Sequence, residues 1–217
     1  MNQTINPVAR VSSSALIGTL AIMGFSAESN LRDVAQALGK KDIDGLSRAL
    51  EKNAKLSRLR AEIQEQIATE KSRSTVTARE HQKLVLISQA SLMFERMGIQ
   101  TLEMANLCVQ IIREPRPSRV AELKKLIEHA VYITDRVATS LIQYDIEIAQ
   151  IAIEQKRTAT ELNGRIHREL ASLIEAGGDA AVRAGLLGRI ANKAQEIIEE
   201  AGQLAQELLI FLEGPEF

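Results

Sequence analysis

The sequence predicts an all-α protein made of two tandem antiparallel three-helix bundles, and three observations support this prediction. Aromatic residues make up only 3% of the 217 residues, so the core must be built from aliphatic side chains, which suit helix-on-helix packing. Apolar residues recur at three- and four-residue steps along the chain. Two segments also match at a constant offset, which is typical of a duplicated helical unit. The matching residues are Asp42, Ile43, Ala49, Glu51, Leu59 and Ile63 in one segment and Asp145, Ile146, Ala152, Glu154, Leu162 and Ile166 in the other.

The first two helices are delimited by a glycine and an acidic cap. The first helix is expected from about Ser12 to Leu38, with Gly39 ending it in the left-handed conformation. Asp42 is a good N-cap for the second helix, because its carboxylate can accept hydrogen bonds from free amide groups. The apolar residues of that second helix share one face. They are Ile43, Leu46, Leu50, Leu56, Leu59, Ile63 and Ile67.

The third helix begins with a capping box and ends before two prolines. Thr77 and Glu80 have the spacing at which hydroxyl and carboxylate satisfy the amide groups of a helix start. The helix is expected to reach Arg113, because Glu114-Pro115-Arg116-Pro117 cannot remain helical. We therefore predict two repeats, one over residues 12–114 and the other over residues 118–213.

The second half has the same organisation. Ser118 is predicted to cap a fourth helix ending near Leu141, and Asp145 caps a fifth that reaches about Glu175. Gly177-Gly178-Asp179 separates it from a sixth helix that ends at Gly214-Pro215. Because the connections are short, sequential helices must run antiparallel, and each half is expected to be an up-down-up bundle.

Charge and cysteine content exclude some classes of function. A formal net charge of -1 and a pI near 6.4 provide no basic field for a phosphate backbone, so nucleic-acid binding is not expected. The single cysteine, Cys108, has no internal disulfide partner and apolar neighbours, which fits a buried thiol in a reducing compartment. We predict a cytoplasmic protein.

The apolar run from Ala15 to Phe25 resembles the core of a signal peptide. It is shorter than the roughly 20 residues that span a bilayer, and its helical spacing continues through Leu31 and Leu38. A buried first helix is therefore the favoured interpretation.

Five segments resemble the PhoU family. In that family the second helix of each unit begins with Asp in an acidic and apolar run, as in Asp42-Ile-Asp44 and Tyr144-Asp-Ile-Glu147. The family's third helix carries Glu-Arg-Ile-Gly-Asp-x-Ala-x-Asn-Ile-Ala-Glu, which is similar to Glu95-Arg-Met-Gly98 and to Gly188-Arg-Ile-Ala-Asn192-Lys-Ala194. Met23-Gly24 resembles the first helix. The resemblance covers residues 12–212.

The resemblance implies a non-enzymatic regulator of phosphate transport or phosphate-responsive signalling that acts through protein contacts. It implies a phosphate transporter component or a sensor kinase as partner, with the membrane reached only through that partner. Several members of the family carry metal ions, so iron, zinc or magnesium is implied as well. By motif position the partner-contact residues are Glu95, Arg96, Arg189 and Asn192. Long amphipathic helices also favour a homodimer.

The family's metal motif is degenerate in this chain. It pairs two carboxylates four residues apart, which share a helix face and can converge on a cation. In this chain, the residue four positions after Glu95 is Ile99, which has no carboxylate. In the second half the two motif positions are Gly188 and Asn192, and neither has a carboxylate. Four positions on the second helices where the family usually has Asp are also changed. They are Asn53, Ser57, Lys156 and Thr160.

Two interpretations of the remaining acids stay open. They are either solvated surface residues or a remodelled metal site formed by Glu95, Glu103, Asn192, Glu196 and Glu199. The histidines show no zinc-ligand spacing, and no arrangement of residues typical of catalysis is found, so no enzyme is predicted. The alternatives to the regulator are a soluble helical partner or dimerisation module of a sodium-phosphate cotransporter, and a metal-binding helical bundle.

Overall fold

The computed structural model describes residues 7–72, 76–114 and 121–214. These residues form helices and turns, with no β-strand among them, which confirms the predicted all-α class. The helices are α1 (Pro7–Lys40), α2 (Ile43–Lys52), α3 (Ala54–Lys71), α4 (Ala78–Arg113), α5 (Ala121–Gln143), α6 (Ile146–Glu175) and α7 (Gly178–Glu213).

The turn into the second helical segment has the same geometry in both halves. Lys41 and Tyr144, which precede the capping aspartates, adopt left-handed φ angles of 55° and 54°. Asp42 Oδ1 accepts a hydrogen bond of 2.9 Å from the amide three residues on, and Asp145 Oδ1 accepts the corresponding one at 3.0 Å. Both predicted caps are confirmed. The repeat seen in the sequence is therefore a repeat of backbone structure.

Lys41, and not Gly39, takes the left-handed conformation at the end of α1. The helix continues through Gly39 to Lys40, two residues further than predicted. The backbone amide of Asp42 then donates to the carbonyl of Ala37 at 2.8 Å, which closes the helix end. The turn is fixed by its hydrogen bonds and by the aspartate cap rather than by the glycine.

The second helical segment of the first half is interrupted at Asn53, where the sequence predicts one continuous helix. α2 ends at Lys52 and α3 begins at Ala54, with the amide of Leu56 donating to the carbonyl of Asn53 at 3.0 Å. Asparagine is a weak helix former, because its side chain competes for backbone hydrogen bonds. The corresponding residue of the second half, Lys156, is a good helix former and lies within the continuous helix α6.

The remaining helix ends agree with the sequence where the structure describes them. Thr77 and Glu80 form the complete capping box at the start of α4. Gly177 and Gly178 have φ angles of 72° and 59°, and the chain turns there from α6 into α7, which begins at Gly178. The predicted cap Ser118 and the proline segment before it lie outside the described residues.

Four helices form the centre of the molecule. α1 packs on α4 and α5, and α7 packs on α4 and α5, so one apolar core extends across both halves. α2 and α3 cover the first half by packing on α1 and α4, and α6 covers the second half by packing on α5 and α7. Whether 12–114 and 118–213 are separate units stays a prediction.

The apolar run in the first helix lies in this core. Leu16, Leu20 and Met23 are each at most 2% exposed, as expected for a buried helix. Among the described residues, no helix is both long enough and apolar enough to cross a bilayer.

Candidate functional site

Three of the residues singled out in the sequence, Arg96, Glu103 and Glu196, lie along the seam between α4 and α7. The two helices run antiparallel, since Arg96 pairs with Glu200 at 2.5 Å while Glu103, further along α4, pairs with the earlier residue Lys193 at 2.9 Å. One side of each helix remains exposed along this seam. The third helices of the two halves, α4 and α7, therefore form a common surface. We name it the α4–α7 face, and it includes Arg96, Glu103, Lys193 and Glu196.

Lys193 forms ion pairs with two of the predicted metal ligands, Glu103 and Glu196. Its ammonium lies 2.7 Å from Glu196 Oε2 and 2.9 Å from Glu103 Oε2. Hydrogen bonds to Glu196 and then to Glu103 raise the pKa of Lys193 above its usual value. A lysine therefore lies between these carboxylates and neutralises part of their charge.

Glu200 is a buried carboxylate on the same seam. Burial raises its pKa above the usual value, and the attraction of Arg96 only partly opposes this. Its Oε2 atom is buried and has no hydrogen-bond partner among the described residues. The Arg96–Glu200 pair links the two halves at the expense of a desolvated charge.

Glu95 is bound by an arginine of the preceding helix. The guanidinium Nη1 of Arg60, on α3, lies 2.8 Å from Glu95 Oε2, and the Glu95 side chain is only 15% exposed. The carboxylate of Glu95 is therefore already paired with a basic side chain of the same chain.

Glu199 is bound in a similar way by α6. Lys156 Nζ lies 2.5 Å from Glu199 Oε2, and Gln195 Nε2 donates to Glu199 Oε1 at 2.7 Å. The same amide nitrogen lies 3.0 Å from the hydroxyl of Thr160 on α6. Charged and polar contacts thus join α6 to α7 around this glutamate.

Two glycines mark where the second helical segment of each half crosses the third helix. A Cβ atom on Gly98 would come within 2.3 Å of Leu56 Cδ1 and 2.4 Å of Asn53 Oδ1. A Cβ atom on Gly202 would come within 2.5 Å of Lys156 Cδ. Because Asn53 and Lys156 correspond at the offset of the duplicated helix starts, the two glycines occupy equivalent positions.

This equivalence corrects the alignment of the third helices made from the sequence. The family motif aligns Glu95 with Gly188, whereas the crossing glycines align Glu95 with Glu199. The places four residues on, where the family has Asp, are held by Ile99 and Gln203. The sequence contained the signal, a Glu-x-x-Gly repeated after 104 residues, close to the 103 residues that separate the duplicated helix starts.

Asn192 and Arg189 lie on α7 away from that crossing point. Asn192 Oδ1 accepts a hydrogen bond of 2.8 Å from His167 Nε2 on α6. Arg189 is exposed and forms no ion pair within the described ranges. Of the four predicted contact residues, Arg96, Arg189 and Asn192 are exposed, while Glu95 is largely buried.

The residues present do not fit the metal implied by the resemblance. Within the described part of the chain, no three His, Cys, Asp or Glu side chains come together in a way that could hold a metal ion. Glu95, Glu103, Glu196 and Glu199 each pair with a lysine or arginine. A cation would have to displace these side chains to reach the carboxylate oxygens.

Apolar side chains are exposed on the same face at a regular spacing. Val85, Leu92 and Ile99 are 38%, 39% and 46% exposed, and seven residues separate each from the next. Residues seven apart lie on one side of an α-helix, so the three form a line along α4, which we name the α4 stripe. Arg96 and Glu103 lie beside it and supply charge at its edge.

Comparison with known proteins gives a clear result for structure only. No family model matches the sequence, and no curated protein matches it significantly. PhoU from Pseudomonas aeruginosa superimposes with a TM-score of 0.90 at 17% identity, over 95% of this chain and 99% of that one. The phosphate transport system regulatory protein PhoU from Streptococcus pneumoniae gives 0.85 at 12% identity, over 95% and 97%. The chain therefore has the fold of the PhoU proteins.

Proposed function

We propose that this protein is a non-enzymatic PhoU-like regulator of phosphate transport or phosphate-responsive signalling that acts by binding partner proteins. The observation that carries the proposal is the likeness to PhoU structures over nearly the whole of both chains, including one described as a phosphate transport system regulatory protein. The degenerate metal motif does not weaken this proposal, because contact between proteins needs a surface and not a metal.

The α4–α7 face is the proposed contact surface. The α4 stripe supplies exposed apolar area, and Arg96 and Glu103 supply charge at its edge, which is the arrangement that protein interfaces favour. Arg189 and Asn192, which are exposed on α7, are the other proposed contact residues. We propose a phosphate transporter component or a sensor kinase as partner, with cytoplasmic localisation and peripheral membrane association only through that partner. The homodimer stays a prediction.

The one thiol of the chain is unsuited to covalent catalysis. Cys108 is fully buried, and burial raises its pKa to about 12, so the nucleophilic thiolate is not formed near neutral pH. This supports a role in packing for Cys108 and agrees with the proposal of a binding protein.

Regulation would follow from a difference in affinity between two states of the partner. A protein that binds one state of a transporter or kinase more tightly shifts the equilibrium by that difference and by no more. The α4–α7 face would thus hold the partner in the state that fits it, without any chemical reaction.

Affinity capture from native cells grown at high and at low phosphate tests the proposal. The tagged wild-type chain is compared with the variant Leu92→Lys, Ile99→Glu, which inserts charge into the α4 stripe. The control is Ile174→Lys, Val182→Glu, which introduces the same two charged residues in place of exposed aliphatic ones on α6 and α7. We expect a phosphate transporter or sensor kinase with the wild type and the control, and its loss with the stripe variant. If no captured protein belongs to phosphate transport or signalling, the proposal is wrong.

A further inference from the structure

We propose that Arg60 and Lys156 take the structural place of a bound metal ion in the two halves, so that the second helical segments are held to the third helices by internal ion pairs. This inference concerns the folded chain by itself. Its test involves no partner protein. The ion-pair proposal can therefore be wrong while the proposed function is right, and the proposed function can be wrong while the ion-pair proposal is right.

In the second half, Lys156 occupies the space beside Gly202 on α7. Its side chain passes over Gly202, where no Cβ is present, and its ammonium reaches Glu199 at 2.5 Å. The Lys156 side chain is 26% exposed. A metal ion approaching Glu199 would meet a fixed positive charge in direct contact with the carboxylate, and like charges at such distances repel strongly.

In the first half, the same neutralisation is achieved from a different position. The residue that corresponds to Lys156 is Asn53, which carries no charge, and Glu95 is instead paired with Arg60, seven residues further along the chain. Seven residues are about two helical turns, so the cation comes from the same side of the second segment. The two equivalent glutamates, Glu95 and Glu199, are therefore each paired with a basic residue, but these basic residues lie at different positions in the two halves.

The neighbouring positions offer no replacement ligands. Ile99 and Gln203, four residues after the two glutamates, provide an aliphatic group and an amide. A hard cation prefers several carboxylate oxygens, and each glutamate is left with one basic partner and no second carboxylate at the motif position. The charge of each glutamate is therefore compensated by the chain itself.

The test compares thermal unfolding and metal content of the wild type with those of a variant that removes the lysine. Lys156→Asp combined with Gln203→Asp would place three carboxylates together around Glu199. The matched control, Arg168→Asp with Gln82→Asp, makes the same charge change at two exposed positions. Each protein is stripped with EDTA and then given Fe²⁺, Zn²⁺, Mn²⁺ or Mg²⁺.

We expect the wild type and the control to keep their melting temperatures after stripping and after metal addition, with less than stoichiometric metal bound. The Lys156→Asp, Gln203→Asp variant should gain about 5 °C with at least one metal. Stoichiometric metal on the wild type with a comparable gain would overturn the inference, and so would a variant that gains no metal response. If the double variant is not helical, Lys156→Asp alone is judged by the same outcomes.

Discussion

The two halves of this protein share their backbone turns but differ in how they hold the second helical segment. The turns at Lys41 and Tyr144 have nearly identical φ angles and the same aspartate cap. The contacts that follow differ, because Arg60 serves the first half and Lys156 the second. The two halves therefore share their turn geometry, while the charges that hold the second segment lie at different positions on the helix surface.

The second helical segment is interrupted in the first half and continuous in the second half. In the first half Asn53 interrupts the second segment opposite Gly98, and its Oδ1 atom is buried without a hydrogen-bond partner in the described ranges. In the second half Lys156 continues the helix, crosses Gly202 and pairs with Glu199. One substitution at an equivalent position thus changes both the helix and the charge of the site.

The largest contrast is expected at the two left-handed turn residues. Lys41→Gly should stabilise the protein by about 0.5–1 kcal/mol, because glycine adopts this conformation without strain. Tyr144→Gly should lower the free energy of unfolding by about 2–3 kcal/mol, since the ring that packs 6.2 Å from that of Phe211 is lost. Urea unfolding measures both. Equal effects would mean that the ring contributes nothing to the second turn.

The two crossing glycines should differ by about 2 kcal/mol. Gly98→Ala places a methyl group against a buried leucine and should lower the free energy of unfolding by about 2 kcal/mol despite better helix propensity. Gly202→Ala meets only the flexible chain of Lys156, so it should change stability by less than about 0.5 kcal/mol. Denaturant titration of both variants checks this. A loss in Gly202→Ala as large as that in Gly98→Ala would contradict it.

The two ion pairs should differ because their glutamates differ in exposure. Glu95 is 15% exposed and Glu199 is 47% exposed. Arg60→Met should therefore cost about 1–2 kcal/mol by leaving a mostly buried carboxylate without its partner. Lys156→Met should cost only about 0.5 kcal/mol, less at high salt. Thermal unfolding at low and high salt separates the two, and an equal, salt-independent loss would contradict the assignment.

The smallest effect is expected from Glu200, where the halves meet. Burial raises its pKa in the folded state, so the folded protein binds this proton more tightly than the unfolded chain does. Its contribution to stability is therefore present at pH below about 4.5 and is lost as the pH rises through the raised pKa. Glu200→Gln has no such titration.

Melting temperatures across this pH range test the assignment. The difference between Glu200→Gln and the wild type should increase in favour of the variant as the pH rises, and then become constant. Arg96→Gln serves as a comparison, because it removes the attraction that opposes the effect of burial on the pKa of Glu200. A difference between Glu200→Gln and the wild type that does not change with pH would show that Glu200 is not shielded from water.

Local signals in the sequence predicted most of the fold. Asp42, Asp145 and the Thr77–Glu80 box act within three residues of themselves, and the structure shows all of them as expected. The break at Asn53 was not predicted, because the apolar pattern continues across it on the same face. Periodicity reports which side of a helix is buried, and it carries little information about a single interrupted turn.

The candidate site was less predictable, because it depends on contacts between distant residues. Arg60 and Glu95 are 35 residues apart, and nothing in the local pattern connects them. The family motif is weaker in the second half, so the sequence alone pairs Glu95 with Gly188 instead of Glu199. The packing of Gly202 against Lys156 resolves this register, since close approach of two helices is a property of the fold.

Arg96 and Glu200 are counterparts in the duplicated unit, since each lies two residues before its crossing glycine, and they bind each other. Were an isolated first half to associate with its own copy in this arrangement, two guanidinium groups would face one another, and a self-associating second half would oppose two carboxylates. Opposite charges at equivalent positions require two halves of different sequence, which a single chain with two units can encode. A symmetric pair of identical units cannot form this ion pair, whereas two units that differ within one chain can.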